Sequence, residues 1–169
     1  NASALGIANV AGETAFYNIS AGTFNFADDG NKFHPHIGQF GSAEFNVSGS
    51  GTVNFGDARA EFAQGSGGQV VINMLGGTWI EAREFSLGEN GYFELNMDAG
   101  SMDMNVATVA NSSGTSVWNM TGGTYYSQKL DSSGGTGTFD MNVSGGDISF
   151  RDFDLASAGQ TANITISGT

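Results

Sequence analysis

The sequence predicts an all-β fold: a parallel β-solenoid, right-handed as parallel crossovers are, forming one domain over residues 1–169. It reads as about six coils of ~23 residues, the first two of them longer. Three observations predict this. An asparagine recurs at Asn18, Asn46, Asn73, Asn96, Asn119 and Asn142, with Thr165 in its place in the last copy, at spacings of 28, 27, 23, 23, 23 and 23 residues. Both neighbours of this anchor are always apolar: Tyr17, Phe45, Ile72, Leu95, Trp118, Met141 and Ile164 before it, and Ile19, Val47, Met74, Met97, Met120, Val143 and Ile166 after it. Glycine makes up 27 of 169 residues, about twice the ~7% of average proteins, and it is spread evenly, as many tight turns require.

Side chains alternate across a strand, so the two apolar columns point inward and the asparagine points outward. One coil cannot bury its inner face alone. Stacking coils at the ~4.8 Å strand spacing sets like residues on like and closes a continuous core, giving a rod roughly 30 Å long. An antiparallel sandwich also spaces its strands regularly, but it does not require the same residue at the same place in every repeat.

Each coil reads as three short segments. The first carries the anchor and ends at a small residue that lets the chain turn: Ala21, Gly49, Gly76, Ala99, Gly122, Gly145 and Gly168. The second reads "TFNF" (23–26), "TVNF" (52–55), "TWIE" (78–81), "SMDM" (101–104), "TYYS" (124–127) and "DISF" (147–150), always with an apolar second residue. The third reads "LGIA" (5–8), "FSLG" (85–88), "TVAN" (108–111) and "FDLA" (153–156). The two longer coils hold insertions. "ADDGNKFHPHIGQFG" (27–41) reads as a surface loop. "GDARAEFAQGSGGQ" (56–69) is expected to form a helical turn over 57–64 that covers one side or end of the rod.

Composition excludes several functions. The net charge is −12, and the only cations, Lys32, Arg59, Arg83, Lys129 and Arg151, are scattered. A phosphate backbone or an anionic membrane surface needs them clustered, so nucleic acid is not an expected partner. The acidic surface leaves calcium as a weak partner and no cofactor is expected. The absence of cysteine removes disulfides, thiolate zinc sites and thiol nucleophiles together. No apolar run approaches the ~20 residues that span a bilayer, so no membrane insertion is expected. The first residue is Asn1 with no signal-like segment, the pattern of a processed product or a fragment.

The blocks "NMTGGTYY" (119–126), "NVSGGDISF" (142–150) and "GTGTFDMNVSGG" (135–146) carry a resemblance. The repeat resembles the glycine-rich β-solenoid repeats of bacterial surface and secreted proteins, among them autotransporter passenger domains and exported proteins with a PEP-CTERM sorting signal. The resemblance covers nearly the whole chain and implies display, adhesion or scaffolding at the cell surface or outside the cell. The two long early coils, and the lack of a sorting tail or membrane barrel, depart from that pattern.

Candidate sites follow. Asn1, Asn18, Asn46, Asn111, Asn119, Asn142 and Asn163 stand in N-x-S/T sequons, but glycans on successive coils about 5 Å apart would collide. The anchor asparagines Asn18, Asn46, Asn73, Asn96, Asn119 and Asn142 therefore read as a structural ladder of stacked amides. Asp28, Asp29, His34 and His36 in the first insertion form a candidate metal or ligand loop. Asp152 and Asp154 share a strand face, as paired acids that cleave glycans do, yet no third acid or cation cluster accompanies them and they read as a solvated face. Trp79, Trp118 and Tyr125 fall in inward columns and read as core. Tyr126 and Ile80 fall in an outward column with Asn25, Asn54, Asp103 and Ser149, and are candidates for a contact surface. The outward column after the anchor (Ser20, Ser48, Leu75, Asp98, Thr121, Ser144, Ser167) is too mixed for an ice-binding threonine rank. Leu5 and Ile7 at one end, with Ile164 and Ile166 at the other, are expected to expose assembly surfaces, because uncapped solenoid edges pair with other chains. The expected function is non-enzymatic and structural: an extracellular solenoid, fibre subunit or surface stalk, that self-associates head to tail. The alternative is a carbohydrate-binding or carbohydrate-degrading β-helix protein with its site on the early insertions and a cell-surface polysaccharide as partner.

Overall fold

The computed structural model describes residues 6–26, 34–132, 134–156 and 159–168. Among these residues the secondary structure is all β, with no helix. The strands are β1 (Gly6–Ile7), β2 (Thr14–Ile19), β3 (Thr23–Asn25), β4 (His36–Ile37), β5 (Ser42–Val47), β6 (Thr52–Asn54) and β7 (Ala60–Phe62). They continue as β8 (Gln69–Leu87), β9 (Tyr92–Val109), β10 (Thr115–Met120), β11 (Thr124–Asp131), β12 (Thr138–Val143), β13 (Asp147–Asp154) and β14 (Thr161–Ile166). Every pairing is parallel and joins a strand to its equivalent one coil away, so the chain is a β-solenoid of about six turns. The anchors pair in register throughout: Asn18 with Asn46, Asn46 with Asn73, Asn73 with Asn96, Asn96 with Asn119, Asn119 with Asn142, and Asn142 with Thr165. In the middle coils β8 and β9 stay extended around the corners, each one strand serving all three positions of its coil.

The inward columns are filled by large apolar side chains. Phe45, Ile72, Leu95 and Trp118 are buried before the anchor, Val47, Met74, Met97 and Met120 after it, and Val53, Trp79, Met102 and Tyr125 on the second segment. Stacking brings rings of neighbouring coils together. Phe26 lies on Phe55 with centroids 3.9 Å apart, and Phe55 on Trp79 at 5.4 Å. A second aromatic group joins Trp118 edge-on to Phe139 at 5.3 Å and to Tyr125 at 4.9 Å.

Two corners explain the small residues. After the third segment the backbone turns through the left-handed region at Ala8, Gly38, Ala63, Gly88, Ala110 and Ala156, with φ between 46° and 71°. A side chain costs energy there and glycine does not. The chain nevertheless uses alanine in four coils, and Ala8, Ala63 and Ala110 bury the methyl group in return. Just before the first segment, Gly41, Gly68, Gly91, Gly114 and Gly137 lie against the backbone of the coil below. A Cβ on Gly114 would sit 2.2 Å from the Gly88 carbonyl oxygen.

Two sequence expectations are corrected. Residues 57–64 form no helical turn. Ala58, Ala60 and Phe62 are all fully buried, a period of two, and Ala60–Phe62 pairs with β4 and β8. Burial of this alternating face outweighs the helix propensity of an Ala/Arg/Glu segment. The insertion is accordingly part of the wall and not a cover. One third segment, "TVAN", also lies one residue away from the expected register: Phe85 pairs with Ala107, and Leu87 with Val109, because the pairing shifts between Glu81 and Glu84.

Core truncation tests the packing. Trp118→Ala is expected to destabilise the fold by roughly 3–5 kcal/mol, read from urea unfolding. Gly114→Ala, the smallest insertion into the coil-to-coil contact, should cost roughly 1–3 kcal/mol. An alanine variant as stable as the parent would contradict the close approach of Gly114 to Gly88.

Candidate functional site

The flat face built by the first segments carries the asparagine column outward. Asn46, Asn73, Asn96, Asn119 and Asn142 each donate Nδ2–H to the Oδ1 of the anchor one coil earlier, at 3.0, 2.8, 3.0, 3.0 and 3.0 Å. An amide has both a donor and an acceptor, so identical side chains can stack without leaving either unused. Two carboxylates brace the run. Glu44 Oε1 accepts from Asn46 at 3.0 Å and Asn73 at 3.3 Å, and Glu94 Oε1 accepts from Asn96 at 2.9 Å. Glu94 also accepts from the Tyr92 hydroxyl at 2.7 Å. Burial, with this hydrogen bond and the carboxylate charge, pushes the Tyr92 phenol up to about 12.

A second feature lies where the second segment meets the third in the middle coils. Glu81 follows Trp79 by two residues and so shares its inward face. It pairs with Met104 in the next coil, and Phe55 holds the equivalent place in the coil before. Glu81 is 3% exposed. Its Oε1 accepts from the backbone N–H of Arg83, while Oε2 and the indole Nε1 of Trp79 make no hydrogen bond of normal geometry within the protein. Trp118, by contrast, donates its Nε1–H to Ser116 Oγ at 3.2 Å. Burial pushes the Glu81 carboxyl up to about 7, against the lowering effect of the Arg83 and Asn105 backbone and the Arg83 guanidinium. Above it runs a groove of about 250 Å³ lined by Ile80, Glu81, Asp103, Met104, Asn105 and Gln128. Asn105 is held by its Nδ2–H to the Ala82 carbonyl at 3.1 Å. Ile80, Asp103 and Tyr126 form one outward column along this edge, and Ile80 and Tyr126 are each 38% exposed. The two contact residues named from the sequence therefore stand on either side of Asp103. Glu81, Asp103, Asn105 and Gln128 were not singled out from the sequence. The parity of Glu81 with Trp79 was the available signal.

The remaining candidates are dispersed. Asp28 and Asp29 lie outside the described residues. His36 Nδ1 is 2.9 Å from Glu61 Oε2 on the neighbouring coil, and His34 is half-buried two residues earlier. Among the described residues, no three His, Asp or Glu side chains come together as a metal site. Asp152 and Asp154 are exposed on the last full coil, and Tyr125 is buried. Leu5 lies outside the described residues. Ile7 is buried against the core beside its partner Ile37, so it offers no exposed assembly surface. Ile164 and Ile166 are 42% and 75% exposed on β14.

These features define the class of protein as a parallel β-solenoid with an outward amide ladder. Compared with known proteins, the chain matches no family model, no curated protein and no solved structure.

Two outcomes check the site chemistry. Glu81 is protonated in both folded and unfolded chains below its ordinary value of 4.5. Stability is lost as pH rises from there to about 7, because only the unfolded chain ionises freely. Glu81→Gln should therefore gain roughly 2–3 kcal/mol over the parent at pH 8 relative to pH 4, measured by denaturant unfolding at both pH values. In the ladder, Asn96→Leu strips partners from Asn73, Glu94 and Asn119 and should cost roughly 1–3 kcal/mol. Asn142→Leu, losing one exposed bond, should cost less than about 1 kcal/mol. Equal costs for the two variants would argue against a continuous ladder.

Proposed function

We propose that this protein is a non-enzymatic structural solenoid, working outside the cell as a fibre subunit or surface stalk that extends by head-to-tail stacking of coils. The observation that carries this reading is the unbroken in-register stacking, in which each coil templates the next and the ladder runs from Asn18 to Asn142. Among the described residues β14 pairs only with β12, and it leaves Ile164 and Ile166 exposed in the two columns that are buried everywhere else along the rod except at the half-buried Tyr17. Unpaired strand edges with apolar side chains template further pairing. The opposite edge, β2, presents the half-buried Tyr17 and the exposed Phe16.

The ladder favours a contact between unlike ends. Every ladder bond runs from Nδ2 of the later coil to Oδ1 of the earlier one, so the run finishes with the Asn18 amide donor at one end and the Asn142 acceptor, followed by Thr165, at the other. Setting two Asn18 ends together opposes donor to donor. Setting Asn18 of one copy on Thr165 of the next gives the donor a hydroxyl acceptor. Such a heterologous contact propagates into a filament and does not close into a dimer. The extracellular setting rests on the resemblance of the repeat to those of bacterial surface and secreted solenoids.

Sedimentation velocity across a concentration series tests the reading. The parent chain is expected to form growing head-to-tail species, and Ile164→Asp with Ile166→Asp should return it to monomer without lowering its thermal stability by more than about 1 kcal/mol, since both sites are exposed. A parent that stays monomeric at high concentration, with the double variant indistinguishable from it, would sink the fibre reading.

A further inference from the structure

We propose that the groove between the second and third segments of the middle coils binds the sugar rings of an uncharged polysaccharide. The inference starts from a residue that the fold alone does not explain. In its inward column Glu81 stands where the neighbouring coils place Phe55 and Met104. Burying a carboxyl there costs energy that an apolar side chain would not. One of its oxygens makes no hydrogen bond of normal geometry within the protein, although the Asn105 backbone faces the carboxyl, and the residue lines a groove open to solvent.

The rim supplies the rest of a sugar site. Asp103 accepts hydrogen bonds, and Gln128 both donates and accepts. Asn105 has its Nδ2–H committed to Ala82, which leaves its carbonyl oxygen as an acceptor. Glu81, held mostly neutral by burial below about pH 7, adds an O–H donor there. Hydroxyl groups donate and accept at once, so a polyhydroxylated ring matches this mixed set. Tyr126, exposed beside Asp103 on the following coil and on the same face as Gln128, offers an aromatic surface for the C–H face of such a ring, and Ile80 offers an apolar one on the other side. The volume of about 250 Å³ lies below the ~300–1,000 Å³ of drug-sized pockets, which fits one ring of a polymer at a time. Acidic sugars are disfavoured by Asp103 and by the net charge of −12. A calcium ion asks for 6–8 oxygen ligands, and the acids and histidines of the described residues do not cluster in threes.

Affinity electrophoresis of the whole chain tests this, in gels carrying glucomannan, xyloglucan, soluble starch or polygalacturonate. Retardation by at least one of the three neutral polymers and none by polygalacturonate is expected. Tyr126→Ala and Asp103→Ala should each weaken that retardation about tenfold, the loss of one good contact, while Ser149→Ala, one coil further along the same column, should leave it unchanged. All three sites are exposed, and thermal melts of the variants check that they fold as the parent does. No retardation by any neutral polymer, or retardation that Tyr126→Ala and Asp103→Ala leave intact, overturns the proposal. So does terbium luminescence sensitised by Trp79 and lost in Glu81→Gln without sugar binding, which would make the groove a cation site. Filament formation is read separately by sedimentation, so the two proposals stand or fall independently.

Discussion

Parallel, in-register pairing between strands one coil apart is the constraint on which everything else in this molecule depends. Strands so paired lie about 4.8 Å apart, and each side chain therefore has its own equivalents as its nearest neighbours. Only chemistry that tolerates itself at that distance can fill a column. Aliphatic and aromatic groups do so inside the rod, and amides do so outside. Stacked carboxylates repel, and Asp131 pairs with Asp154 where the Lys129 ammonium binds Asp131; the outward column two residues before the anchor keeps its acids apart. It runs Phe16, Glu44, Val71, Glu94, Val117, Asp140, Asn163, so each acid is separated from the next by a neutral residue. Like charges then stand about 10 Å apart, near the Debye length at ordinary ionic strength.

Where a column breaks its own rule, the break is local. Glu81 is the one acid in an inward column of the middle coils, and it sits where the pairing register shifts by one residue before Glu84. Its neighbours Trp79 and Tyr125 are fully buried. Burial pushes the Tyr125 phenol well above its ordinary range, with the Glu81 and Asp103 carboxylates adding to the shift. A polar pocket inside an apolar stack lowers stability unless something else uses it, and the groove above Glu81 is the place where this solenoid differs most from an inert spacer.

Much of the fold was legible in the sequence because the period and the alternation act together. The anchor spacing fixed the coil, and the apolar residues at Trp118, Leu95 and Met97 fixed which way each strand faces. What stayed hidden depended on contacts between coils that no single segment reveals. Residues 57–64 look helical by propensity, yet Ala58, Ala60 and Phe62 each find an inward place once β4 and β8 flank them. The alanines at the left-handed corner look unremarkable in sequence, since alanine is usually read as a helix former and not as a turn residue. In the candidate groove, Tyr126 and Ile80 were visible as large side chains in an outward column. Asp103, Asn105 and Gln128 carried no such mark, being ordinary polar residues until the strands set them side by side.

The two long early coils have an energetic meaning of their own. The first spans 28 residues between anchors and the second 27, yet both return to register with the 23-residue coils that follow. Closing a flexible loop costs free energy only as the logarithm of its length, so extending 23 residues to 28 adds about 0.2 kcal/mol. That is less than one ladder hydrogen bond contributes. Extra sequence is thus nearly free at the corners between segments and ruinous within a strand, where one added residue would turn every inward side chain out. A rod built this way can acquire new loops, and with them new surfaces, at each corner of each coil without renegotiating its core.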